Sequence, residues 1–287
     1  MSTSEKLSVI VVNYNSTGYL NRLIQSLVKI GDIVEEIIIV DNNSVDFKNT
    51  YTDPKIRTII NPSNVGFSTA VNQGIAHSKC SYILLLNPDC VLVDNSIHII
   101  YKQIINNKST ACIGGKIQSE DTNKPQHTAN TTPTFLTGIF EFTNMKKLFP
   151  KNKYSKKFWI ESKNAINQCV EVDALCGAFI LFRKKIGITS LCFDQDYFLY
   201  LEDLQFGLDI RRLGYKVLFN PQAKVKHVGG ASNNSKYNIV LSEWYKSRRI
   251  FFRKNLNALE SIILIFIFSI EEQLLRIVHY LRNEPNT

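Results

Sequence analysis

Acids and amides stand where the most apolar segments of this chain end. The run SYILLL stops at Asn87-Pro88-Asp89, and a second apolar stretch opens at Cys90 straight after it. A carboxylate is a poor strand former and costly to bury without a partner. Asp89 is therefore either an ordinary turn residue or the holder of something at the strand's carboxyl end. Three earlier runs end the same way. VIVVNY runs into Asn13-Tyr14-Asn15-Ser16, EEIIIV into Asp41-Asn42-Asn43-Ser44, and IRTII into Asn61-Pro62-Ser63-Asn64-Val65-Gly66. Singly these are turn and cap residues; four such ends along one edge would gather donors and acceptors around a ligand.

A second acidic pair, Glu202-Asp203, opens the segment EDLQFGLDIRR. Acids in a first helical turn complement the positive end of the helix dipole, which is the structural alternative to a catalytic role. His227 leads into Gly229-Gly230, where backbone can approach a ligand closely. A lone histidine there is also compatible with a hydrogen-bonded structural residue.

The elements that must carry these groups alternate. Strands are expected at 7–14, 35–40, 56–60 and 81–86, and helices at 18–30 and 67–78. Continuous apolar strands separated by amphipathic helices predict βαβ units and a mainly parallel sheet covered on both faces. Ligands in such sheets bind outside the carboxyl ends of the strands. Further on, QCVEVDALCGAFILFRKK reads as two strands around Cys176-Gly177-Ala178, with a helix over 202–212, a strand at YKVLFN and a short one at 224–228. No GxGxxG or P-loop follows the first strand, which removes a Rossmann dinucleotide site and an NTPase.

The chain has 287 residues, 44% of them hydrophobic, and a net charge of +9, a balance that suits a partner bearing phosphates. Six cysteines without a CxxC pair read as reduced core residues. The N-terminus lacks the pattern of a signal peptide, so a cytoplasmic location is expected.

Taken in order, VIVVNYNS, IIIVDNNS, NPSNVGFSTAVNQGI, LLLNPDC, GAFILFRKK, FLYLEDLQFGLDIRRLGY and VKHVGGAS resemble the motifs of family 2 inverting glycosyltransferases with the GT-A fold, most of all the bacterial rhamnosyltransferase-like group. The resemblance implies an α/β GT-A catalytic domain over 1–238, with a nucleotide-sugar half to about 118 and an acceptor half from about 119. It implies a nucleoside-diphosphate sugar donor, dTDP-rhamnose favoured over a UDP-hexose or UDP-galactofuranose, and a divalent cation, Mn²⁺ or Mg²⁺. By the same resemblance Asp89 takes the metal-binding position and His227 reaches the same metal. Asp41 reads the base or ribose, Tyr14 packs on the base between Asn13 and Asn15, and Asn64, Gly66, Phe67 and Asn87 lie against the donor. Asp203 matches the general base, Glu202 supports it or binds acceptor, and Cys176, Gly177 and Ala178 face the acceptor or sugar. Three positions depart from the pattern: Asn87 replaces the first acid of DxD, Gln205 a second acid, and Asp209 an arginine.

Two rivals are weighed. A sugar nucleotidylyltransferase needs a glycine-rich, arginine-bearing loop after the first strand, and VVNYNS offers none. Nucleic-acid binding conflicts with acids on the ligand edge, because carboxylates repel phosphate unless a cation intervenes.

Around 119–168 the chain reads as loop, with the basic stretch MKKLFPKNKYSKKFW interleaved with Phe149, Tyr154, Phe158 and Trp159. It faces phosphate or membrane, or is a solvated loop. Residues 239–287 read as a separate amphipathic extension of one or two helices whose apolar core, Ile262–Ile270, is too short to span a bilayer. Lys246, Arg248, Arg249, Arg253 and Lys254, with Trp244, Phe251 and Phe252, suit a helix lying on an anionic leaflet. Packing on the catalytic domain, or on a second subunit as a homodimer, is the alternative. A glycan or lipid-linked glycan acceptor, met peripherally at the cytoplasmic face of the inner membrane, would unite both basic regions.

Overall fold

Burial on both faces explains the first half of the chain. In the computed structural model, which describes residues 5–160, 167–229 and 237–283, β1 (Leu7–Asn13), α1 (Thr17–Leu27), β2 (Val34–Asp41), β3 (Ile56–Ile60), α2 (Phe67–His77) and β4 (Tyr82–Leu86) follow one another. Every residue of β1 is buried, as a doubly covered strand requires. β5 (Cys90–Leu92), α3 (Ser96–Asn106), β6 (Thr110–Ser119), β7 (Ala129–Asn130), α4 (Phe135–Phe142), α5 (Met145–Leu148) and α6 (Lys153–Phe158) come next. Then come β8 (Val170–Val172), β9 (Ala174–Leu175), β10 (Phe179–Arg183), β11 (Lys185–Ile186), β12 (Thr189–Ser190), α7 (Glu202–Arg212), β13 (Lys216–His227), α8 (Tyr237–Asn255) and α9 (Ala258–Asn283).

The main sheet has the order β3-β2-β1-β4-β10-β6-β13-β5, with β8 added beside β13. β3, β2, β1 and β4 are mutually parallel, and β6 runs parallel to β13. β10 is antiparallel to both β4 and β6. Its direction brings its amino end, at Gly177-Ala178, to the edge where β1, β2, β4, β6 and β13 deliver their carboxyl ends. All the singled-out acids sit along that edge.

The second half differs from the sequence reading in three places. Residues 216–227 form one strand, not two: the ladder to β6 only shifts register between Asn220 and Lys224, where Pro221 cannot donate a ladder bond. Residues 170–183 form three short strands. The segment taken as loop folds α4, α5 and α6, and Phe142, Phe158 and Ile160 are buried. Of the aromatics expected to face phosphate or membrane, Phe158 is core and Trp159 stacks on His127 at 4.3 Å.

α8 corrects the membrane reading of its own residues. Arg248 is 1% exposed and is held by Glu271 at 2.6 Å and Glu272 at 3.1 Å from α9. Arg249 pairs with Glu272, Lys254 with Asp194 and Asp196, and Lys246 with Glu243. Phe251 and Phe252 are fully buried and Trp244 stacks on Phe142 at 5.7 Å. With Leu264 and Phe268 of α9 they complete a core that also holds Tyr197, Leu204 and Leu208 of the catalytic half. α8 is thus largely committed to packing: four of its five cations are paired with carboxylates, Arg253 stays exposed, and Trp244, Phe251 and Phe252 are covered.

Candidate active site

The turn Asn87-Pro88-Asp89 joins β4 to β5, and β5 pairs with β13 so that Cys90 lies opposite His227. That register brings the two candidate metal ligands together. Asp89 Oδ1 lies 3.1 Å from His227 Nε2, and Oδ2 accepts the Gly229 amide at 3.0 Å. Burial alone would raise the Asp89 carboxyl; the His227 contact and the Gly229 amide outweigh it and hold it below the usual range.

The neighbours of His227 decide what it can do. The Gln126 side-chain amide donates to the His227 carbonyl at 3.1 Å, which turns its oxygen toward His227 Nδ1 at 2.9 Å. Nδ1 then carries the proton and Nε2 presents its lone pair. Asn87 Nδ2 lies 3.3 Å from that Nε2. A lone pair facing a carboxylate oxygen at 3.1 Å is repulsive unless a cation lies between them. A proton satisfies this arrangement, and so does a divalent cation taking one nitrogen and one oxygen from the protein. The residues present fit such a cation. Among the described residues no group of three or more His, Cys, Asp or Glu side chains forms a complete cage, so water or ligand oxygens would fill the remaining positions. Gly230 lies outside the described residues.

Gly177-Ala178 ties this site to the second acid. The Ala178 carbonyl accepts the Asn87 amide at 3.1 Å. The Gly177 amide donates to Asp203 Oδ2 at 2.9 Å, and Leu204 donates to Oδ1 at 2.8 Å. Burial raises the Asp203 carboxyl and these amides only partly offset it. Glu202 is 6% exposed with an unpartnered Oε2, and burial plus the Asp203 charge push it well above the usual range. Of the pair, Asp203 is therefore the one that ionises first. Cys176 is anchored through its amide to Thr128.

The approach to α7 is strained. Tyr200 (φ 72°) and Leu201 (φ 67°) are both left-handed without being glycine, at a cost of order 1–3 kcal/mol each that surrounding contacts must offset. Here Phe67 donates its amide to the Phe198 carbonyl at 2.7 Å, and Ser247 of α8 donates its hydroxyl to the Leu199 carbonyl at 2.7 Å. Gly66 (φ 86°) is needed beside them, because a Cβ there would lie 2.8 Å from the Phe198 carbonyl oxygen. The Asn64 side chain accepts the Gly66 amide at 3.0 Å. The loop expected to lie against a donor is thereby fastened to the segment that presents Asp203.

At the ends of β1 and β2 the expected nucleotide-binding residues form a hydrogen-bonded network that leaves the buried Asn13 Oδ1 without a partner. Asn13 Nδ2 donates to Asp41 Oδ1 at 2.8 Å and to the Ser44 hydroxyl at 3.1 Å, and the Ser44 amide donates to Asp41 Oδ2 at 3.0 Å. Asp41 is thus buried with both oxygens engaged. Asn15 (φ 52°) accepts the Val45 amide at 3.0 Å, and Tyr14 is half-buried. Behind it lies a second layer of which the strand ends marked Asn42 and Asn61 but not Gln73: Asn61 donates to Asn42 at 2.9 Å, exchanges two 2.9 Å bonds with Gln73, and Asn42 donates to the Gly66 carbonyl at 3.2 Å. Gln126 was missed too; nothing local marks it, since it lies 101 residues from His227. The two departures on α7 prove to be partners. Gln205 donates to Asp209 at 2.8 Å and accepts from Tyr197 and from Asn255 of α8, so that face of α7 serves the junction with α8.

Comparison with known proteins places this architecture. The chain superposes on a crystal structure of GalNAc-T7 with UDP, GalNAc and Mn²⁺ with a TM-score of 0.57 at 17% identity, over 77% of this chain and 43% of the other. That likeness identifies the fold as GT-A-like. Residues 8–186 match glycosyl transferase family 2, and the chain belongs to that family. It is 23% identical over 262 residues to the N-acetylglucosaminyl-diphospho-decaprenol L-rhamnosyltransferase of Mycobacterium tuberculosis, covering 86% of this chain and 84% of the relative. It is 23% identical over 275 residues to the rhamnosyltransferase WbbL of Escherichia coli, covering 88% and 98%. Within the family it is rhamnosyltransferase-like.

Proposed function

We propose that this chain is an inverting, cation-dependent rhamnosyltransferase that moves rhamnose from dTDP-rhamnose to a hydroxyl of a lipid-linked glycan in bacterial surface-polysaccharide assembly, working at the cytoplasmic face of the membrane. The observation that carries the reading is Asp203. Its carboxylate is held by two backbone amides, raised toward neutral pH by burial, and set at the same strand edge as Asp89 and His227. The names of the two rhamnosyltransferase relatives support the sugar, and that of the mycobacterial relative a lipid-diphosphate acceptor.

In this reading Asp89 and His227, with Asn87 beside them, hold Mn²⁺ or Mg²⁺. Bound there, the cation would neutralise charge on the departing diphosphate. Asp41, Asn13, Tyr14 and Asn15 seat the nucleotide, and the Asn64–Phe67 loop covers it. Asp203 accepts the acceptor hydroxyl proton as that oxygen forms its bond to the anomeric carbon. The bond from that carbon to the phosphate oxygen breaks on the opposite face, so configuration inverts and the nucleoside diphosphate leaves. Burial and the Asp203 charge make Glu202 the less readily ionised of the two, which leaves Asp203 as the base. Residues 1–238 form the catalytic unit and 239–287 its extension.

The test is release of nucleoside diphosphate from a panel of nucleotide sugars with Mn²⁺ and a lipid-diphosphate N-acetylglucosamine acceptor. dTDP-rhamnose should be turned over in preference to a UDP-hexose or UDP-galactofuranose. Asp203→Asn should lose turnover and retain donor binding; normal turnover by that variant removes the base assignment.

A further inference from the structure

α9 is amphipathic in the inverted sense. Two of its carboxylates face the protein: Glu271 and Glu272 are bound by Arg248 and Arg249 of α8, and Glu271 also accepts the Asn144 amide. Leu264 and Phe268 on the same inward side complete the core with α4 and α8. The outward side is apolar. Leu259, Ile262, Phe266, Ile270, Leu274 and Ile277 recur every three or four residues and are all exposed, Phe266 by 65%. Interspersed with them are Gln273 and Arg276, and no acid stands among these outward positions.

The border of this stripe is cationic. α4 runs alongside α9, with Gly138 against Leu264. Beyond α4, Lys147, Lys151, Lys153, Lys156 and Lys157 are exposed on and around α5 and α6, with Leu148 and Phe149 bare at the tip. Lys153 and Lys157 line a cavity of about 930 Å³ together with Phe135, Leu136, Asp173 and Glu260, the last from the first turn of α9; its two acids offset these two lysines, so the border's net positive charge rests on Lys147, Lys151 and Lys156. Cations and apolar side chains therefore share one flank of the molecule.

We infer that this flank, the outward stripe of α9 with the lysines of the α5–α6 region, is a docking surface for an anionic lipid bilayer, on which the protein lies without crossing. Among the described residues no helix is long and apolar enough to span a membrane. Charge selects the occupant. An antiparallel two-fold pairing of copies through α9 would bring two lysine borders together and repel, and a parallel one would leave both borders unneutralised, whereas anionic headgroups neutralise them. The apolar stripe supplies the insertion energy that headgroup attraction alone lacks. The inference deepens the proposed function, since a lipid-linked acceptor lies in such a bilayer, but its test does not depend on turnover.

The experiment is flotation of the full chain with vesicles of phosphatidylcholine alone and of phosphatidylcholine mixed with phosphatidylglycerol. Binding should require the anionic lipid and weaken as salt rises. Phe266→Glu should abolish it, and Lys151→Glu with Lys156→Glu should weaken it by more than tenfold, at roughly fivefold for each lysine charge removed. Phe266→Trp gives a reading that misfolding cannot mimic: its fluorescence should shift to the blue on anionic vesicles and be quenched by spin-labelled acyl chains. Equal binding to both vesicles, no binding to either, or an unshifted tryptophan overturns the inference. So does a concentration-dependent dimer that Phe266→Glu dissolves and that excludes vesicles. Loss of transferase activity with vesicle binding intact would count against the proposed function alone.

Discussion

Gly177→Ala probes the space between Asp203, the proposed base, and Phe67 of the loop proposed to cover the donor. A Cβ at 177 would lie 3.4 Å from Asp203 Cβ, 3.8 Å from Asp203 Oδ2 and 3.8 Å from Phe67 Cε1. These are ordinary contact distances, and the φ of Gly177 is outside the left-handed region, so the fold should tolerate the methyl within about 0.5 kcal/mol. The cost falls on function. The methyl occupies the gap through which an acceptor hydroxyl would come within reach of Oδ2, and reacting atoms must approach to about 3–3.5 Å. A displacement of about 1 Å costs roughly 100-fold, or about 2.7 kcal/mol of transition-state stabilisation. Steady-state kinetics on the purified variant should show kcat/KM down by that factor, with Tm and donor affinity unchanged. Wild-type turnover in Gly177→Ala would mean that the acceptor does not approach between Phe67 and Asp203, and the base assignment would have to move.

Other outcomes follow from the charges. Because burial raises the Asp203 carboxyl and the base must be ionised, the acid limb of the kcat/KM profile should lie above the ~3.9 of a free aspartate; a limb at or below it contradicts the assignment. Glu202, raised further, contributes stability that is present below the ~4.3 of an unfolded glutamate and is lost as pH rises through its folded value. Glu202→Gln should therefore raise Tm near pH 7–8 and leave it unchanged near pH 4, a difference read by calorimetry at the two pH values. Arg248→Met leaves Glu271 without its arginine in a buried setting, a loss of about 3–5 kcal/mol and a Tm drop of about 6–20 °C; an unchanged Tm would show that the helical hairpin is not part of the folded unit.

The alternation of apolar runs and amphipathic segments was enough to read β1, β2, β4, α1 and α2, because doubly buried strands and one-sided helices carry their own periodicity; β3, a half-exposed edge strand, was legible from its β-branched run IRTII. The carboxyl-edge positions of Asp89 and Asp41, and the start of the helix at Glu202, followed from those boundaries. What was not legible depends on long-range register. The meeting of Asp89 with His227 is set by the β5–β13 pairing across 138 positions, and the orientation of His227 by Gln126. The left-handed pair Tyr200-Leu201 carries no glycine to betray it. α8 misled because its arginines and aromatics have the composition of an interfacial helix, and only the carboxylates of α9 reveal that Arg248 is buried.

In the proposed function Asp89 and His227 hold a cation through which this edge grips a nucleoside diphosphate. Calorimetric titration of dTDP into the purified protein, with Mn²⁺ and then with the metal chelated, tests it most directly. Binding should need Mn²⁺ in the wild-type chain and should lose that dependence, with most of its affinity, in Asp89→Ala. Equal affinity with and without metal, in both proteins, would contradict it.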